Sequence, residues 1–137
     1  MGVENNIALV RRTIEEAYNH GNVDVYDQTL TENYVAHAPG RGDKINGRDG
    51  AKHRVLALRR AAPDLRVTID KLVADDDHVV TQWRLKGTHD GPFNDLAPTN
   101  RPVTLAGATI DRFVNGQVAE SWHYWDTAHL DTQLGTA

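Results

Sequence analysis

Cysteine is missing from the chain altogether, which removes disulfides, thiolate-bound metals and cysteine nucleophiles from consideration. Long apolar runs are missing too: none approaches the roughly 18 residues that a membrane-spanning helix needs. The opening stretch, MGVENNIALVRR, lacks the extended apolar region of a secretory signal, so a cytoplasmic protein is expected. Positive charge is scarce. With 15 Lys and Arg against 19 Asp and Glu the net charge is −4, and no basic stripe interleaves with aromatics as a nucleic-acid surface would require. The local cluster Lys52, Arg54, Arg59 and Arg60 reads as the wet face of a helix. Seven scattered His residues include no H-E-x-x-H spacing, so no metal site is expected. No Ser sits in a G-x-S-x-G elbow. The segment PGRGDKING has glycines but neither a phosphate-loop GK[ST] nor a dinucleotide spacing. Its Arg41-Gly42-Asp43 tripeptide reads as a turn.

What remains is an ordinary globular composition, 39% apolar and 25% charged over 137 residues. That is enough chain for one domain (residues 1–137) with a real core, and no linker, repeat or low-complexity segment divides it. Ile7, Val10, Ile14, Ala17 and Tyr18 recur at helical spacing, with Asn5 or Asn6 as a start and Gly21 as a stop. A short second helix is expected after Asn22, carrying Val25, Tyr26 and Leu30 inward. Tyr34 to His37 reads as a short strand ended by Pro39, and PGRGDKING as an exposed loop. A third helix is expected from about Asp49 to Pro63, with Val55, Leu56 and Leu58 on its buried side.

After Pro63 the period changes from helical to alternating. One strand carries Val67, Ile69 and Leu72, and Asp75-Asp76-Asp77 forms the following turn. Further strands are expected over 79–89, 103–114 and 117–125, the last two joined by Asn115-Gly116, a hairpin signal because both residues tolerate positive φ. Helices segregated before a mostly antiparallel sheet mean an α+β fold.

Four segments, AYNHGNVD, THDGPF…APTNRPV, RFVNGQVAE and DTAHLDTQLG, make nearly the whole chain resemble SnoaL-like proteins. These are relatives of aromatic polyketide (ester) cyclases within the nuclear-transport-factor-2-like superfamily. The resemblance implies a cone: three N-terminal helices against a strongly curved, mostly antiparallel sheet that encloses a pocket, commonly in a homodimer. It also implies an intramolecular aldol ring closure on a polyketide ester that needs no metal or organic cofactor. A side chain removes a proton beside one carbonyl, and the enolate attacks another. In those cyclases an aspartate on the last strand acts with a histidine on the strand before it. Here the matching positions are His123 and Thr109, so both key residues depart from the pattern.

His123 can still serve as a base, since imidazole titrates near neutrality, and Asp111, facing the same side as Thr109, can orient it if the strands are in matching register. Alternatively His123 is a hydrogen-bonded wall residue. Thr109 and His37 are further expected as polar wall residues, and His89 as a group near the mouth. Tyr18, Trp83 and Trp125 are expected to contact substrate, although the tryptophans also suit a core or a dimer interface. Asp126 is either a substrate contact or the cap of a final short helix. Ser121 and His123 should face one side of the sheet, Glu120 and Trp122 the other. A steroid-isomerase site would need a helix-1 tyrosine and a strand-1 carboxylate where this chain has Ile14 and Ala38, and is disfavoured. Two readings stay open: an acid/base enzyme acting on a small apolar carbonyl compound, and a non-catalytic dimer that binds one. A subunit-interaction role for the convex face is a third.

Overall fold

A computed structural model of the chain describes residues 2–39, 43–93 and 96–135; Arg41 and Gly42 of the RGD tripeptide lie outside them. The first helix, α1 (Val3–Thr13), begins earlier than the asparagines anticipated and runs on without a break as one π-helical stretch, Ile14–Asn19. Gly21, at φ 75°, ends it. The wider π turn still delivers Tyr18 inward. Beyond it the Asn19 amide pairs with both backbone groups of Val67, at 3.0 and 2.7 Å, pinning the helix end to a strand edge. Arg59 Nη1 donates to the Tyr18 carbonyl at 2.7 Å, satisfying an acceptor that the helix end leaves open.

A 3₁₀ turn (Val23–Val25) leads into α2 (Tyr26–Thr29), and the chain then enters β1 (Leu30–Ala38). Leu30 therefore belongs to a strand rather than to the second helix, although it is buried as expected. The exposed loop expected over PGRGDKING is overturned in its second half. Residues Asp43–Asn46 form β2, an antiparallel edge strand on β1 in which Ile45 packs on the core. Four residues with flanking glycines give no alternating signal, so only pairing reveals the strand.

Helix α3 (Gly47–Ala61) buries Ala51, Val55 and Ala61. Leu56 is instead 44% exposed: at 100° per residue it sits about 140° from Ala51, on the opposite side from Leu58. The sheet continues with β3 (Arg66–Ala74), β4 (His78–Thr88), β5 (Pro102–Val114) and β6 (Gln117–Trp125), and α4 (Thr127–Leu134) closes the chain. Strand order is β2-β1-β6-β5-β4-β3, antiparallel throughout except for the parallel β1–β6 pair. Register shifts within the β1–β6, β3–β4 and β5–β6 pairs are the irregularities that bend a sheet. The Asn115-Gly116 turn has φ 51° and 80°, the primed geometry that matches strand twist. The helices lie against the inner face, where Val10, Ala17, Val25, Tyr26, Val55 and Val79 form the core with Phe113 and Val118.

Candidate active site

Between helices and sheet lies a cavity of about 150 Å³. Alternation along the strands decides what faces it. Thr81, Trp83 and Leu85 of β4, Leu105, Thr109 and Asp111 of β5, and Ser121, His123 and Trp125 of β6 all line it. The helices add Tyr18, Tyr26, Arg54, Leu58 and Leu130. Glu120 and Trp122 point the other way, as the alternation requires: Glu120 bonds Arg112 on the outer face, and Trp122 stacks on His37.

The β5–β6 register sets His123 opposite Thr109 and Asp111 opposite Ser121. The anticipated direct Asp111–His123 pairing is thus replaced by two parallel couples. Thr109 Oγ1 lies 2.9 Å from His123 Nδ1 and accepts the indole N–H of Trp83 at 3.0 Å. Indole is only a donor, so the arrangement that uses every hydrogen runs Trp83 N–H to Thr109 O–H to His123 Nδ1. Nδ1 is then the acceptor and Nε2 carries the ring proton. Burial, with Arg54 nearby, pushes the imidazole well below its usual 6.5, so the ring is neutral. Trp83 reaches Thr109 because Gly107 lets the indole lie against bare backbone: a Cβ there would stand 2.5 Å from the ring and collide with the Tyr124 carbonyl.

Asp111 accepts a hydrogen bond from Ser121 Oγ at 2.5 Å. Burial raises its carboxyl from 3.8 to about 6, and the Ser121 bond opposes that rise. Tyr34, also on the cavity wall, is raised by burial and by the neighbouring Asp111. The cavity therefore holds a carboxylate with a near-neutral pKa and an imidazole that avoids protonation. Such divergent environments are how one site separates a base from a donor.

Arg54 is the residue the sequence reading misplaced. Lys52 does sit at the surface, paired with Asp27 at 2.9 Å, and Arg60 is exposed. Arg54 instead turns inward, donates to the Tyr18 hydroxyl at 2.7 Å and lies 5.9 Å from the centroid of Trp125. The signal was available in its helical phase: on the α3 wheel position 54 falls between 58 and 61, within the apolar stripe.

The remaining expected residues divide. Tyr18, Trp83, Thr109 and Trp125 line the cavity. His37 is on the outer face of the sheet, its Nε2 2.7 Å from Glu120, because β1 turns Tyr34 and Ala36 inward and 35 and 37 outward. Asp126 caps α4, accepting the His129 N–H at 2.9 Å. His89 borders a second, smaller cavity of about 70 Å³ that shares Leu58, Leu85, Phe93, Leu105 and Leu130 with the first. Its Nδ1 accepts the Thr99 N–H at 3.2 Å, leaving Nε2 buried without a partner among the described residues. Asp90 and Gly91 fasten the same segment to the Ala61 carbonyl, so the THDGPF…APTNRPV stretch is anchorage around a cavity wall. Among the described residues no group of three His, Asp or Glu is placed to hold a metal ion, and no helix is long and apolar enough to cross a membrane.

A bent sheet folded over helices round a partly polar cavity defines the nuclear-transport-factor-2-like class. A candidate SnoaL-like polyketide cyclase of Jannaschia sp. CCS1 superposes with TM-score 0.89 at 26% identity, covering 98% of this chain and 94% of its own. A candidate polyketide cyclase of Acidithiobacillus ferrooxidans gives 0.84 at 27% identity, covering 100% and 99%. A Catenulispora acidiphila protein of ketosteroid isomerase-like fold gives 0.79 at 17%, covering 94% and 93%, a likeness of fold. No curated protein is similar enough to match the chain. The SnoaL-like polyketide cyclase profile matches residues 8–134, and the chain belongs to that family.

Proposed function

We propose that this is a cytoplasmic, homodimeric SnoaL-like enzyme that performs cofactor-independent proton transfer, of aldol-cyclase or isomerase type, on a small and largely apolar carbonyl compound such as a short polyketide. The observation that carries the reading is Asp111: a half-buried carboxylate on the cavity wall, raised to about 6 by loss of solvent, in the same cavity as a neutral imidazole whose Nδ1 is already engaged by Thr109. Proton abstraction beside a carbonyl needs a base with a pKa near working pH and a donor for the developing enolate oxygen. Asp111 suits the first role better than His123, because an imidazole held well below 6.5 is a weak base. His123 Nε2–H suits the second. The proton passes from the substrate α-carbon to Asp111 and returns to another carbon in isomerisation, or to the new alkoxide in ring closure. Charge and atoms balance without a co-reactant.

The size of the cavity favours a modest substrate. A void of about 150 Å³ is what an engineered apolar cavity needs to bind benzene, so the enclosed part of a ligand is roughly one ring. Homodimer formation is supported by an apolar strip on the outer sheet face, where Trp122 and Tyr124 stand beside their register partners Ile110 and Ala108 and Tyr124 is 46% exposed.

The test is hydrogen–deuterium exchange at the methyl group of acetophenone in D₂O, followed by NMR. Wild type should accelerate exchange, with a rate that rises with pH and levels off above about 6. Asp111→Asn should lower it by at least about 100-fold while still binding the ketone. Replacement of the cyclase Asp and His by His123 and Thr109 favours a second reading, a binder without turnover; acetophenone bound by wild type with no exchange above buffer would establish that instead.

A further inference from the structure

Resting on the reading of this cavity as a substrate site, we propose that Arg54 is a carboxylate-binding residue, so that the enclosed ligand is an anion, a small keto acid, rather than a neutral ketone or ester. The guanidinium has five N–H donors and a permanent charge. One donor is used on Tyr18, and among the described residues no carboxylate lies within 4.0 Å of Arg54. The other cations of α3 are provided for: Lys52 has Asp27, Arg59 has the Tyr18 carbonyl, and Arg60 has water. Among the described residues Arg54 is the only Lys or Arg on the cavity wall.

Burial works against the charge of Arg54, and the surrounding Tyr18, Tyr26 and Tyr34 offset that without supplying a full counter-charge. Tyrosine hydroxyls and the Trp125 face supply only partial negative charge. Asp111 is the one carboxylate on the wall among the described residues and pairs with Ser121. His123, made neutral in part by Arg54 itself, adds no competing charge. The planar fork matches a carboxylate in two parallel hydrogen bonds, and Trp125 beside it offers a surface for the rest of the ligand. A carboxylate held at Arg54 would also fix which carbon of the substrate presents its proton elsewhere in the cavity, a positioning that a neutral ester could not obtain from a point contact.

The experiment is calorimetric titration of the full chain with two ligands of one size, benzoate and benzamide, alongside acetophenone. Benzoate should bind wild type at least about 10-fold more tightly than benzamide, the scale of a charge-assisted hydrogen bond in an enclosed site. Arg54→Met should abolish that preference and leave benzamide affinity within about 3-fold, and Arg54→Lys should keep part of it. Equal or better binding of benzamide to wild type overturns the proposal, as does a benzoate preference that survives in Arg54→Met. Should Arg54→Met fail to fold by circular dichroism, the wild-type benzoate-to-benzamide ratio and the Arg54→Lys variant decide alone. If acetophenone binds and exchanges while benzoate shows no preference, the anion assignment fails and the proton-transfer reading survives. If none of the three ligands binds, the reading of the cavity as a substrate site fails first.

Discussion

Two side chains on the cavity wall titrate in opposite senses. Asp111 has a folded-state pKa of about 6 against 3.8 for an ordinary aspartate, so folding favours its protonated form. Its contribution to stability is present below about pH 4 and is lost as pH rises through 6, on the order of 3 kcal/mol. His123 is depressed below 6.5, so its contribution is present above that value and is lost as pH falls through it. Asp111→Asn, which keeps an acceptor for Ser121, is therefore expected to raise the unfolding midpoint at pH 7.5 and to leave it unchanged near pH 3.5. His123→Gln should remove part of the destabilisation between pH 6.5 and 5. Denaturant unfolding at these pH values checks both, and an Asp111→Asn variant less stable than wild type at pH 7.5 would contradict the burial argument. None of this was legible in composition. Sequence pattern placed His123, Thr109 and Asp111 on one face, but which of them touch depends on register. A two-residue offset between β5 and β6 separates an Asp–His couple from the Thr–His and Asp–Ser couples found.

At the scale of elements, the strands after Pro63 were the clearest part of the chain, because alternation, the Asp75 turn and Asn115-Gly116 agree with one another. Asp75 Oδ1 accepts from the N–H groups of Asp77 and His78, at 3.0 and 2.8 Å, a local bond that composition alone foretells. The elements missed share a reason: their signal is not local. Strand β2 exists only as a partner of β1. His37 turns outward because the residues of β1 that meet the helices are Tyr34, Ala36 and Ala38, and its partner Glu120 lies on a strand far along the chain. Gly107 is the element-scale feature on which the site most depends, since β5 must pass under the Trp83 ring with no side chain between. Gly107→Ala is expected to destabilise the fold by about 1–3 kcal/mol and to break the Trp83–Thr109 bond. Thermal unfolding would show the first effect. The indole N–H resonance of Trp83 should shift toward that of an unbonded indole; an unmoved resonance would mean the chain tolerates a Cβ there.

For the molecule as a whole, one face of the sheet is used by the helices and the other is left with Trp122, Tyr124, Ile110 and Ala108. Tyr124→Glu places a charge in the middle of that strip. Sedimentation equilibrium should then give half the wild-type mass with an unchanged circular dichroism spectrum, and a wild-type monomer would remove this face as the dimer contact.

The α+β class, the order of elements apart from β2 and the face on which the residues of the longer strands sit are set by the sequence alone, because they follow from periods of 3.6 and 2.0 that each segment carries within itself. The couples around His123 and Asp111, the bond of Arg54 to Tyr18 and that of His37 with Glu120 belong to the tertiary structure. Each depends on register, or on burial between segments far apart in the chain, and local periodicity holds no record of how far one strand slides along its neighbour.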